Sequence, residues 1–170
     1  SISSLLNIIK HSFRTQPIFA ELDENPTIKN PNEQIIGIVV VGETARADHF
    51  SINGYEKQTT PLLQKIDIVN YTNAYSCGTL TKISVPCMFY VGNYDQYDTK
   101  KAKYQANLID IIDKAKADVT WIDNNSSCKN VCDRIKNKTI AIITDQENTY
   151  DELMLKWVDT IIKKNNNSRQ

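Results

Sequence analysis

The chain has 170 residues, 20 of them basic and 20 acidic, and so carries no formal net charge. That length suits one domain with a buried core, and the charge balance offers neither a basic groove for nucleic acid nor a polybasic patch for an acidic membrane. Its longest apolar runs, residues 35–41 and 140–143, are far shorter than the ~20 residues that cross a bilayer, so the chain as it stands is expected to be soluble.

The chain opens on Ser, and residues 1–16 hold a short helix-like apolar stretch, Leu5–Ile9, without the charged start, apolar middle and cleavage site of a signal peptide. An upstream segment is therefore expected. Residues 21–34 are polar, contain Pro26 and Pro31, and read as a linker. Residues 35–42 are continuously apolar and β-branched, the pattern of a central strand buried on both faces. Pro61–Ile66 predicts a short helix with proline in its first turn, and Ile68–Ala74 alternates like a strand.

Ser84–Tyr90 can start a second helix, and Asn107–Ala117 places Leu108, Ile111, Ile112 and Ala115 at helical spacing. Val119–Ile122 reads as a strand ending in an Asp-Asn-Asn-Ser turn, and residues 139–144 as another strand. Tyr150–Lys163 reads as an amphipathic helix, followed by a tail too polar for a core. Strands alternating with helices predict an α/β sandwich, whose ligands gather beyond the carboxyl ends of the strands.

Three segments follow directly after expected strands: Gly42-Glu43-Thr44, Ser76 to Thr81, and Asp123 to Ser126. A carboxylate such as Glu43, held at a sheet edge, can serve a cation, or it can be a solvated loop acid. A hydroxyl such as Thr79 or Thr81 near a helix N-terminus faces unpaired N–H groups that favour phosphate, or it can be a turn hydroxyl. Threonine becomes a useful nucleophile only with a metal or a base beside it. The four cysteines form two sequence-local pairs, Cys77 with Cys87 and Cys128 with Cys132. Such pairs favour disulfides in an oxidising compartment. A four-cysteine zinc site fits less well, because nine residues lie between Cys77 and Cys87 where zinc pairs usually leave about two to four; four unrelated buried thiols are a third option.

Residues 39–55 (Val-Val-Val-Gly-Glu-Thr-Ala-Arg-Ala-Asp-His-Phe-Ser-Ile-Asn-Gly-Tyr), 77–89 (Cys-Gly-Thr-Leu-Thr-Lys-Ile-Ser-Val-Pro-Cys-Met-Phe) and 121–133 (Trp-Ile-Asp-Asn-Asn-Ser-Ser-Cys-Lys-Asn-Val-Cys-Asp) occur in that order, with Tyr150–Leu153 as a weaker fourth motif. Together they resemble the phosphoethanolamine transferases that modify lipid A, including the mobile colistin-resistance enzymes. The resemblance implies an alkaline-phosphatase/sulfatase-like α/β/α sandwich, of which residues 35–170 would be the N-terminal part and residues 1–34 a linker from a membrane domain. It implies transfer of phosphoethanolamine from phosphatidylethanolamine to lipid A or another envelope acceptor, at the periplasmic face of the inner membrane. Thr81 would be the nucleophile and would carry the covalent intermediate, Glu43 would ligate a catalytic zinc ion that also contacts Thr81, and Asn125 and Lys129 would bind the donor head group. The pairs Cys77–Cys87 and Cys128–Cys132 would be disulfides, and the chain a monomer.

The sequence departs from that family in lacking its Ser-Asp-His-Gly-Glu and His-x-x-Gly-Ser-His-Gly-Pro segments, and a further bridge that orders the region near residues 144–150 in many members has no cysteines here. Its two histidines are His11 and His49, and His49 is expected to support the site from behind or to lie at the surface. Two oxygen ligands do not complete zinc's tetrahedron, so the chain alone is expected to bind zinc weakly. A metal-dependent phosphatase or sulfatase, and a non-catalytic remnant that binds lipid head groups, are the alternative functions.

Overall fold

Asn107 illustrates how local chemistry builds this molecule. In the computed structural model, which describes residues 18–21, 25–31, 33, 35–124, 127–135 and 150–167 (not the side chains of 165–167), its side-chain oxygen accepts hydrogen bonds from the N–H groups of Ile109 (2.8 Å) and Asp110 (3.2 Å), while Asp110 Oδ2 accepts from Asn107 N–H (2.8 Å). This reciprocal cap satisfies donors that a helix start leaves unpaired. The described residues contain three α-helices: α1 (Thr81–Met88), α2 (Leu108–Lys114) and α3 (Glu152–Asn167). Beyond the end of α2, Lys116 takes a left-handed φ of 67° and its N–H bonds to Asp113 O at 2.9 Å, a closure usually made by glycine. Pro61–Ile66 yields only a tight 3-10 turn, Leu63–Lys65.

The buried core lies where α1 meets the loop Cys128–Ile135. Val85 and Phe89 of α1 pack with Val131, and Val41, Ile109 and Trp121 close around them. A second cluster, Cys128, Cys132 and Ile135, shares Ile109 and Trp121. Phe89 and Trp121 meet edge to face at 5.6 Å between centroids, a favourable arrangement for two ring quadrupoles. Asn107 adds a buried bond from Nδ2 to Val131 O at 2.9 Å. Arg134 grips Asp110 through both oxygens (2.9 and 2.6 Å) and covers the Phe19 ring at 4.5 Å. Phe19 thereby ties the N-terminal part of the described chain to the core, next to an isolated parallel bridge between Ala20 and Gln105.

Two expectations need correction. Residues 35–42, 68–74 and 119–122 form no β-ladder among the described residues, and the first of these is not buried on both faces: Ile35, Val39 and Val40 are 76%, 76% and 87% exposed. A β-branched run is buried only when neighbouring strands pair both its edges and helices cover both its faces, and the described residues supply neither; the expected strand 139–144 lies outside them. The helix expected from Ser84 instead begins at Thr81. Pro86 occupies the sixth position of α1. The expected helix 5–9 also lies outside the described residues.

Candidate functional site

Glu43 and Thr81 are 38 residues apart in sequence, yet the Thr81 hydroxyl donates a hydrogen bond to Glu43 Oε1 at 2.7 Å. Each side of the pair has a local cause. Thr44 turns the chain immediately after Glu43 with a left-handed φ of 55°, an uncommon conformation for a β-branched residue; such outliers often mark functional sites. Thr81 is the first residue of α1, and the N–H groups of Ile83 and Ser84 both close on Leu80 O, at 2.8 and 2.9 Å. Its hydroxyl therefore stands at the positive end of the helix dipole.

The loop before α1 is fastened from two directions. Cys77 is bridged to Cys87 in the last turn of the helix, with Cα atoms 6.3 Å apart. Gly78 lies so close to Ile83 that a Cβ there would meet Ile83 Cγ2 at 3.0 Å, so only glycine lets the loop fold onto the helix without displacing that side chain. The second bridge, Cys128–Cys132, is buried and spans a Cα distance of 5.8 Å. It closes a loop in which Ser127, Lys129 and Asn130 all have positive φ (127°, 51° and 71°). Lys129 is half-buried there, and Val131 of the same loop packs against Val85 of α1. The helix bearing Thr81 and the loop bearing Lys129 thus rest on one cluster. Asn125 lies outside the described residues.

Both disulfides form, and the four-cysteine zinc site and the set of free thiols are accordingly excluded. Among the described residues one group of three potential metal donors converges, Cys128, Cys132 and Asp133, but its two sulfurs are committed to the bridge. Glu43 Oε1 and Thr81 Oγ1, 2.7 Å apart, lie close enough for both to reach one cation at the ~2.0–2.2 Å of a zinc–oxygen bond. They fit such an ion as half of a tetrahedral set.

Sequence reading did not find the groove that begins one residue beyond Glu43. It has a volume of about 420 Å³ and is lined by Thr44, Ala45, Arg46, His49, Phe50, Thr59 and Thr60. Asp48 receives Arg46 Nε and Nη2 (3.0 and 2.6 Å) and pairs with His49 Nδ1 (3.0 Å). The hydrogen bond from Arg46, reinforced by that to His49, holds the Asp48 carboxyl well below the usual carboxylate range. Thr59 Oγ1 accepts from Ser51 N–H (2.9 Å) and donates to His49 O (2.6 Å), and Thr60 Oγ1 accepts from Ile52 N–H (3.1 Å). These partners lie eight to ten residues apart, with no periodic signal to reveal them; the one visible hint was the close spacing of Arg46, Asp48 and His49.

A family model described as Sulfatase matches residues 36–170. The chain is 39% identical over 143 residues to phosphoethanolamine transferase EptA of Escherichia coli K12, covering 81% of this chain and 26% of that protein. It is 47% identical over 117 residues to phosphatidylethanolamine transferase Mcr-1 of Escherichia coli, covering 68% and 21%. Its structure superimposes with a TM-score of 0.78 on the integral membrane lipooligosaccharide phosphoethanolamine transferase A of Neisseria meningitidis, at 34% identity, covering 96% of this chain and 32% of that one. The chain spans about a quarter of the length of the curated relatives it matches. These likenesses establish the alkaline-phosphatase/sulfatase-like class that the family resemblance implied, and with it the α/β class that the alternation of elements predicted.

Proposed function

Because the chain belongs to the sulfatase family and its named relatives are phosphoethanolamine transferases, we propose that it is the N-terminal part of a zinc-dependent transferase domain. The domain moves phosphoethanolamine from phosphatidylethanolamine to lipid A or another envelope acceptor, with Thr81 carrying the group between two half-reactions. The observation that carries this reading is the 2.7 Å contact between Thr81 and Glu43 at the start of α1.

In the first half-reaction Thr81 Oγ bonds to the donor phosphorus and the bond from phosphorus to the diacylglycerol oxygen breaks; the hydroxyl proton ends on that oxygen. In the second, an acceptor oxygen displaces Thr81, which regains a proton from the acceptor. Glu43 accepts the hydroxyl's hydrogen bond and so directs its proton inward, leaving the Oγ lone pairs for phosphorus. The N-terminus of α1 and the Lys129 ammonium favour the negative charge on the transferring phosphate. Family relatives are metal-dependent. Glu43 and Thr81 would hold zinc together with Asp and His ligands that are not in this chain; when bound, the ion lowers the pKa of the hydroxyl and neutralises phosphate charge.

Among the described residues no helix is long and apolar enough to cross a membrane. The two disulfides support a periplasmic setting, and the integral-membrane relative supports attachment to the inner membrane. A chimera in which this chain replaces the matching residues of Mcr-1, supplied with zinc, phosphatidylethanolamine and lipid A, tests the proposal. Phosphoethanolamine-modified lipid A is the expected product. Release of phosphoethanolamine to water at the same rate without lipid A would favour the family's hydrolase reading instead.

A further inference from the structure

Resting on the transferase reading above, we propose that Tyr97 is a positioning residue for Thr81: its hydroxyl, bonded to Ile83 O, holds the first turn of α1 in the orientation that keeps the Thr81 oxygen on Glu43. Tyr97 lies 14 positions beyond Ile83, outside α1, and donates to that carbonyl at 3.0 Å. The helix needs such a support because of Pro86. Proline has no N–H to return to the carbonyl four residues back, here Lys82 O, and its ring crowds that oxygen. The ladder is therefore interrupted between the turn that carries Thr81 and the turn in which Cys87 is bridged to Cys77. Ile83 is the point at which the first turn can be held. Its N–H bonds to Leu80 O at 2.8 Å, its side chain lies against Gly78, and its carbonyl receives the Tyr97 hydroxyl.

Tyr97 is itself fixed from two sides. The Tyr90 ring meets its ring edge to face, with centroids 5.3 Å apart, a favourable arrangement of ring quadrupoles. Tyr90 in turn occupies the space above Gly92, where an added Cβ would meet its Cε1 at 2.7 Å. On the other side, Asp98 Oδ1 accepts from the N–H groups of Lys100 (2.7 Å) and Lys101 (3.3 Å) and closes the turn that follows Tyr97. Burial pushes the Tyr97 hydroxyl above its ordinary range, so it remains a donor through neutral and mildly alkaline pH. A donor held this way loses little further freedom in bonding to α1. The position it secures matters because the Thr81 oxygen must meet phosphorus from one direction, and a misplacement of about 1 Å can cost as much as ~10²-fold in rate.

The test is Y97F, which removes the hydroxyl and keeps the ring, followed by rapid quenching and peptide mapping of the Mcr-1 chimera with zinc and phosphatidylethanolamine. The first-order constant for loading of Thr81 should fall roughly tenfold, with the half-saturating concentration of phosphatidylethanolamine and the final amount of adduct unchanged. Y94F, in the same segment but 70% exposed, should load like the parent. A tyrosine that served stability alone would instead lower the amount of adduct and leave the rate constant of the folded molecules intact; that result, or loading as fast as in the parent, would overturn the proposal. In the 170-residue chain, Y97F should speed deuterium exchange of the Ser84 amide, which closes on Leu80 O, at least about threefold relative to that of Ile111 in α2. Equal changes at both amides would also overturn it. The two readings fail separately. A parent chimera that never loads Thr81 would sink the transferase assignment, whereas a parent and Y97F that load equally fast would sink only the role of Tyr97.

Discussion

The two bridged loops and the apolar run at residues 35–41 differ in what holds them. Around Thr81 and Lys129, short-range devices do the fixing: a disulfide across α1, a glycine folded onto Ile83, a second disulfide closing a turn with three positive φ angles, and a small core shared by Val85, Phe89 and Val131. Ile35, Val39 and Val40 have the residue types of a buried strand but remain largely exposed. A bridge or a cap needs only the atoms of its own neighbourhood, whereas a strand needs partners that come from elsewhere in the fold. The Thr81–Glu43 contact can therefore be in place within a stretch of chain whose sheet is not.

Five variants probe that contrast. The largest effect is expected for Thr81→Ala in the Mcr-1 chimera, with transfer to lipid A falling at least ~10³-fold because the attacking oxygen is gone; Thr81→Ser should retain measurable transfer. Glu43→Gln keeps the shape but loses the charge facing Thr81, and should lower transfer by roughly 10²-fold with circular dichroism and melting temperature unchanged. Replacing Cys128 and Cys132 together by serine should destabilise the chain by about 2 kcal/mol from loop entropy alone, read by urea denaturation. The smallest effect marks the other region. Val40→Thr should shift the stability of the isolated chain by no more than about 0.5 kcal/mol and cost more than that in the chimera, where strand partners are present; equal costs in both would remove the contrast.

What the sequence disclosed followed the range of the interactions. The helix α2 was legible from Leu108, Ile111, Ile112 and Ala115 at helical spacing, and the Asn107–Asp110 cap that starts it lies within four residues. Each cysteine pair lies within ten residues of sequence. The start of α1 was misplaced at Ser84 because Leu80, at its N-cap, gives no side-chain cap to mark it. The meeting of Glu43 with Thr81 was legible only through the family resemblance, since no pattern of spacing encodes a contact over 38 residues. The groove was missed for the same reason: its floor joins Ser51 and Ile52 to Thr59 and Thr60 through hydroxyl contacts that leave no periodic trace.

The most direct test of the account is peptide mapping of the chimera after acid quenching with phosphatidylethanolamine and zinc present and lipid A withheld. The account predicts phosphoethanolamine on the Thr81 peptide, lost when lipid A is added and never formed in Thr81→Ala. An adduct on another residue, or full transfer with Thr81 unmodified throughout, would contradict it.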